Sequence, residues 1–251
     1  MSSERVSFIL HALAPVLLAD DTRPLAVIQA MERGFPGLRL AWTISAEGFV
    51  PAPEGDARII ARTRAGGFAL YSNGNDAHLV TITGRTMPGA LCPGGKPLLD
   101  VYAKWPVDAA GLAAAVDVLE GVAEAAGSYW GHVTPTNATT AIWDQISHTP
   151  AGPTKSPRGL PMLKRSSELP SPDHPEYLGW LNYWSAAAAR AIGFPDPTRD
   201  AELLSRSRGT ATGGWVVRLT DTPLDLDSPG HIDALKSAYE RFPKIGGRTS
   251  P

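Results

Sequence analysis

Residues 99–133 limit the fold of this chain more than any other segment, because they predict a strand, a helix and a second strand in succession. From Leu99 to Trp105, apolar residues alternate with polar ones, as in a strand with one buried face. Asp108 is a suitable N-cap for the alanine-rich helix that follows, and Gly127 is placed to end it. Tyr129–Val133 then predicts the second strand. The stripe expected to be buried on this helix consists of Leu112, Val116, Leu119, Ala123 and Ala126.

A related unit is predicted near the N-terminus. Val6–Leu13 has a strand pattern that places His11 on the face opposite the most apolar residues. Thr22 and Pro24 are helix-start residues, and Leu38–Ile44 predicts a strand after the helix. The chain therefore contains two predicted strand-helix-strand units.

Further elements are predicted in the middle and C-terminal parts of the chain. They are a helix at Ala57–Ala65, a hairpin of Phe68–Tyr71 with His78–Thr83, a helix at Tyr177–Ile192, a strand at Trp215–Thr220 and a helix from Ser228. We expect an α+β fold, with a mixed, largely antiparallel sheet and packed helices. Residues 1–251 are expected to form a single domain, with a long Pro/Ser-rich loop at about 148–176.

Charge and cysteine content exclude several classes of function. A formal net charge of -2 and a pI near 6.3 give no general positive field for nucleic acid or anionic membranes. Because Cys92 is the only cysteine, the chain forms no internal disulfide and no cysteine-based zinc site. The N-terminal apolar stretch is interrupted by His11 and Pro15, which fits neither a signal peptide nor a membrane span. A cytoplasmic location is expected.

No recognisable catalytic, cofactor or metal motif is present, so binding is favoured over catalysis and no cofactor is expected. The histidine best suited to acid-base chemistry is His132, which could meet Asp100 or Asp144 in space. A partly buried structural role is the more common one for such a histidine. The seven tryptophans are expected mainly in the core, although an exposed tryptophan would indicate a binding surface.

An acidic series lies before the last predicted helix, at Asp221, Asp225 and Asp227. Its spacing lacks the glycine and the final glutamate of a calcium-binding loop. Solvated loop and helix-cap roles are favoured, followed by contact with a basic protein and then by metal binding.

Five segments resemble a bacterial family of unknown function, the domain-of-unknown-function family 5953. They are Arg23–Val27, Leu119–Glu124, Gly179–Ser185, Gly213–Thr220 and Tyr239–Pro243, so the resemblance covers nearly the whole chain.

Leu181–Trp184, Ile192–Pro195, the following Gly-Gly strand and the final tyrosine-containing helix are also similar to two other families. These are the immunity protein 52 family and the type VI secretion immunity family of bacterial toxin systems. The resemblance implies a cytoplasmic antidote that binds a polymorphic toxin, often a nuclease, and blocks its active site or substrate groove. It carries over no catalytic residue.

The leading hypothesis is therefore an immunity protein that neutralises a cognate toxin by contact. Nucleases are basic around their sites, so carboxylates are expected to face the toxin. The candidates are Asp221, Asp225 and Asp227, followed by Asp20 and Asp21. An enzyme with a His/Asp site and a structural protein of a larger assembly are the alternatives. A monomer or weak homodimer is expected.

Overall fold

Ten strands and six α-helices are present in the computed structural model, which describes residues 6–45, 48–52, 66–146 and 158–248. The strands are β1 (Ser7–Pro15), β2 (Trp42–Ser45), β3 (Gly48–Pro51), β4 (Gly67–Ser72), β5 (Thr81–Met87), β6 (Leu98–Pro106), β7 (Trp130–Pro135), β8 (Leu181–Trp184), β9 (Ser207–Gly209) and β10 (Trp215–Arg218). The helices are α1 (Arg23–Gly34), α2 (Ala109–Ala126), α3 (Thr136–Asp144), α4 (Ala186–Ile192), α5 (Ala201–Ser205) and α6 (Pro229–Arg241).

All ten strands belong to one sheet, in the order β3-β2-β4-β5-β6-β1-β7-β8-β10-β9. Each described pairing is antiparallel, which confirms the α+β class. The unit predicted at residues 99–133 is present as β6-α2-β7. Because β1 pairs with both β6 and β7, it lies between the two strands of that unit. The hairpin of β4 and β5 is also confirmed.

Helix α2 packs against α1 and the sheet through a buried face that is rich in alanine. Its ends follow the prediction, since Asp108 accepts a hydrogen bond from Gly111 N at 2.8 Å and Gly127 adopts φ 65°. The predicted buried stripe was partly wrong, because Leu112 is 43% exposed. The buried side chains include Ala114, Ala115, Val118 and Val122. A Cβ on Gly34 of α1 would lie 2.4 Å from Val118 Cγ2, so the helices approach where their side chains are small.

The helix predicted at Tyr177–Ile192 was wrong in its first half. Residues 181–184 form β8, which pairs with β7 on one side and β10 on the other. Two neighbouring strands offer a complete hydrogen-bond ladder to an aromatic-rich segment that suits a strand equally well. The helix begins only after Ser185, whose side chain caps the N–H of Ala188. Trp180 and Trp184 are buried, as expected of core tryptophans.

Some predicted elements lie outside the described residues or differ from the structure. The helix expected at Ala57–Ala65 lies outside the described residues, as does the first part of the long loop. Residues 158–175 are largely irregular, and Leu160, Leu163 and Leu169 anchor them with buried side chains. None of the described helices has the length and apolar character needed to cross a bilayer.

Candidate functional site

A row of polar side chains crosses the sheet on the face opposite α1 and α2. Strand alternation places directly paired residues on the same face. The row consists of Thr83, Tyr102, His11, His132 and Asn182, on β5, β6, β1, β7 and β8. Burying polar side chains in the centre of a sheet costs free energy unless they are hydrogen-bonded, so this row marks a candidate functional region.

Asp100 lies at the centre of this face and has partners on both neighbouring strands. Its Oδ1 is 3.2 Å from His11 Nδ1, and its Oδ2 accepts a hydrogen bond from Arg85 Nε at 3.4 Å. Arg85 stands directly opposite Asp100 in the register of β5 and β6. Burial raises the pKa of Asp100, but the hydrogen bond and charge of His11 and the charge of Arg85 outweigh burial and lower the pKa below its usual value. Asp100 is therefore a buried, ionised carboxylate.

An open cavity of about 630 Å³ lies above this carboxylate. We call it the sheet cleft. Its lining residues are Ile9, His11, Thr83, Arg85, Asp100, Tyr102, Thr139, Thr140, Trp143 and Asp144. The strands supply the floor and α3 supplies one wall, where Trp143 is 51% exposed. The His11 ring lies against Tyr102 at 5.0 Å and faces Trp143 at 6.3 Å between ring centroids. The cleft thus combines aromatic walls with a charged floor.

A smaller cavity of about 260 Å³ adjoins the sheet cleft and shares Asp100 and Trp143 with it. Glu176 lines this second cavity, and its carboxylate accepts a hydrogen bond from Ser166 Oγ. Burial raises the pKa of Glu176 to about 7, and the negative charge of Asp100 adds to the effect. The second cavity therefore contains a carboxyl group that titrates near neutral pH.

His132 lines neither of these two cavities, and its two ring nitrogens bond to residues other than Asp100. Its Nδ1 is 2.9 Å from Thr134 Oγ1, and its Nε2 is 3.1 Å from Tyr177 Oη. Burial lowers the pKa of His132 well below its ordinary value, so the ring is neutral. The structure brings Asp100 and Asp144 to one cavity, as the enzyme alternative predicts, but His11 takes the place predicted for His132.

The acidic residues predicted to face a toxin lie elsewhere. Asp221, Asp225 and Asp227 are all exposed, and Asp221 lines a separate cavity beside α5 and α6. Asp225 accepts a hydrogen bond from Asp227 N at 3.0 Å, and Asp227 pairs with Arg158 at 2.8 Å. These contacts order the loop locally and leave its carboxylates accessible.

Asp20 and Asp21 differ from each other in environment. Asp20 is exposed and has φ 60°. Asp21 has a largely buried side chain that binds Arg23 at 2.6 Å and also accepts a hydrogen bond from Leu18 N. Arg23 in turn donates hydrogen bonds to backbone carbonyls, including that of Ala126 at the end of α2. Asp21 thus helps to join the start of α1 to the end of α2.

Four residues of the two cavities did not stand out in the sequence: His11, Arg85, Trp143 and Glu176. The sequence contained one indication of this site, the alternation of apolar and polar residues in β1 and β6. This alternation places His11 and Asp100 on the more polar face of each strand. Only the strand order shows that these faces adjoin. Among the described residues, no group of three or more His, Cys, Asp and Glu side chains could hold a metal ion.

Comparison with known proteins gives a family and a fold. The family described as Domain of unknown function (DUF5953) matches residues 19–250, nearly the whole chain. A solved structure named Pseudomonas aeruginosa T6SS protein PA0821 is similar with a TM-score of 0.54 and 12% sequence identity. The similarity covers 96% of this chain and 73% of that chain. At this identity the likeness shows a shared fold. No curated protein matches the sequence.

Proposed function

The chain belongs to the DUF5953 family, and we propose that it is an immunity protein, which neutralises a bacterial toxin by binding it at the sheet cleft. The observation that carries the proposal is that two exposed residues, Trp143 and Arg85, line the same concave site. Half of Trp143 is exposed, and 75% of the Arg85 side chain is exposed. Tryptophan and arginine are the residue types that most often anchor protein interfaces.

The volume of the cleft, about 630 Å³, suits a projecting segment of a partner. Tyr102, His11 and the buried Asp100 line it together with the exposed Trp143, so a side chain that enters the cleft can contact both aromatic rings and a carboxylate. Aromatic contact supplies binding energy, and the carboxylate supplies specificity.

Two likenesses support a toxin-related role. The sequence resembles immunity families, and the solved structure of similar fold is named as a T6SS protein. Under this proposal the toxin is delivered by a bacterial secretion system, and the protein protects the cell that makes it.

The acidic loop at residues 221–227 is a second contact surface in this proposal. Its exposed carboxylates suit a basic toxin surface and would act mainly through long-range attraction. Charge reversal there should slow association and leave the folding of the protein unchanged. The sheet cleft, by contrast, should control the lifetime of the complex.

An enzyme is the second candidate function, and the His11–Asp100 pair favours it. A carboxylate that hydrogen-bonds to Nδ1 orients an imidazole so that Nε2 can act as a general base. Such an enzyme would protect the cell by modifying the toxin or its product, without forming a lasting complex.

Co-expression with the toxin encoded beside the gene tests the proposal. Survival of the cells and capture of the complex are both measured, for the native protein, Trp143→Ala and Leu91→Ala. Leu91 is 61% exposed and lies outside the cavities that contain Asp100, so its variant is a matched control. We expect survival with a complex for the native protein and the control, and loss of both for Trp143→Ala.

Other outcomes would contradict the proposal in different ways. Survival without a complex, abolished by His11→Ala, would indicate enzymatic protection. A complex that survives Trp143→Ala but is lost on charge reversal at Asp221, Asp225 and Asp227 would place the interface at the acidic loop. Cell death with the native protein would reject immunity towards that toxin.

A further inference from the structure

Asp100 is bonded to two side chains, one that is mostly buried and one that is mostly exposed. His11 is itself mostly buried and fixes one carboxylate oxygen at 3.2 Å. The other oxygen is bound by Arg85, whose side chain is 75% exposed and whose distance of 3.4 Å is at the long end for a hydrogen bond. A carboxylate has about four acceptor positions. The Arg85 contact is therefore one that an incoming donor can replace.

The charged groups of the two cavities favour a cation. Three carboxyl groups line them, from Asp100, Asp144 and Glu176, against two basic groups, the guanidinium of Arg85 and the imidazole of His11. An anionic ligand would face this excess of acidic groups. A metal ion is also disfavoured, because no group of three or more metal-binding side chains occurs among the described residues.

The walls of the cleft favour a planar cation over a compact one. Trp143 and Tyr102 both line the cleft, and each of their rings lies near the ring of His11. A guanidinium group stacks on aromatic rings, binds a carboxylate with two parallel hydrogen bonds and is easier to dehydrate than an ammonium group. Arginine satisfies all three requirements, whereas lysine offers a point charge.

We infer that the sheet cleft receives an arginine side chain of the protein partner, which displaces Arg85 from Asp100. In the free protein, Arg85 acts as an internal substitute for this arginine. The inference rests on the proposed function for the identity of the partner, since the cleft itself requires only a guanidinium group on a peptide. In the bound state Arg85 turns outward, where it can pair with an acidic group of the partner.

Titration with a blocked arginine, N-acetyl-arginine methylamide, tests this inference without the toxin. The indole N–H signal of Trp143 is followed by NMR and assigned with Trp143→Phe. We expect saturable shifts at millimolar concentrations, with at least tenfold weaker binding of the neutral analogue, blocked citrulline. Asp100→Asn should abolish the response, and Asp233→Asn, an exposed change outside the two cavities, should preserve it.

Arg85→Ala gives a test that does not depend on the folding of Asp100→Asn. Because Arg85 competes for Asp100, its removal should tighten the binding of blocked arginine several-fold. A site that merely needs Arg85 for structure would bind more weakly in this variant. Unchanged or weaker binding in Arg85→Ala would overturn the displacement of Arg85.

The remaining outcomes separate this inference from the proposed function. Absence of shifts with blocked arginine, combined with a native toxin complex, would reject the inference and leave immunity standing. Binding of blocked arginine without any toxin complex would support the arginine site and reject the proposed function. Binding of free arginine but not of its blocked form would reject a protein partner and indicate a small-molecule ligand.

Discussion

Replacement of Glu176 by glutamine should raise the free energy of unfolding at alkaline pH. In acid, the variant and the native protein should be of similar stability. In the folded protein, burial raises the pKa of Glu176 from 4.5 to about 7. Between these values the native state binds more protons than the unfolded state, so this group makes stability fall as pH rises. One pKa unit corresponds to about 1.4 kcal/mol, so ionised Glu176 costs the native protein roughly 3 kcal/mol above pH 7. Glutamine has no such cost.

Chemical denaturation at pH 5 and pH 8 measures the effect as a difference between variant and native protein. Titrating groups that do not interact with Glu176 cancel in this difference. The glutamine keeps an oxygen that can accept the hydrogen bond from Ser166, so the two proteins should be of similar stability at pH 5. At pH 8 the variant should be more stable, by up to about 3 kcal/mol. Glu240→Gln, at an exposed position of α6, is the control. A difference that is equal at both pH values would refute the reasoning.

Two further predictions concern stability. Gly179→Ala should lower the free energy of unfolding by about 1–3 kcal/mol, because a Cβ there would lie 2.4 Å from Thr134 Oγ1 and 2.8 Å from His132 Nδ1. Urea denaturation measures this loss. The control is Gly230→Ala, which should cause no loss because no atom lies within 4 Å of the added Cβ. Asp21→Asn should lower the thermal midpoint by weakening the ion pair with Arg23, whereas Asp20→Asn at an exposed site should leave it within error. Equal midpoints for these two Asp variants would show that Asp21 has no structural role.

Local signals in the sequence were sufficient for the elements whose partners are close in the chain. The cap at Asp108, the stop at Gly127 and the hairpin of β4 and β5 all depend on neighbouring residues. The error at residues 181–184 had the opposite cause. Those residues are a strand because β7 and β10 lie on either side of them, and both partners are distant in sequence.

The candidate site was missed for the same reason. His11 and Asp100 are 89 positions apart, and their contact depends on β1 being inserted between β6 and β7. The sequence indicates that both side chains face outward from their strands. It does not indicate which strands are neighbours. The sequence therefore favoured His132 over His11 as the candidate acid-base residue. In the structure the two histidine rings are neighbours, stacked with their centroids 5.6 Å apart.

The buried carboxyl group of Glu176 is difficult to explain by stability alone. A domain of this kind is stable by about 5–15 kcal/mol, so an ionised Glu176 that costs roughly 3 kcal/mol removes a substantial share. A neutral side chain could fill the same space and bind Ser166. The negative charge of Asp100 adds to the cost of ionising Glu176, and a cation placed in the cleft would lower that cost. The carboxylate of Glu176, which weakens the free protein when it is ionised, would therefore strengthen binding of an arginine, which is the expected signature of a site shaped for its ligand and not for the fold.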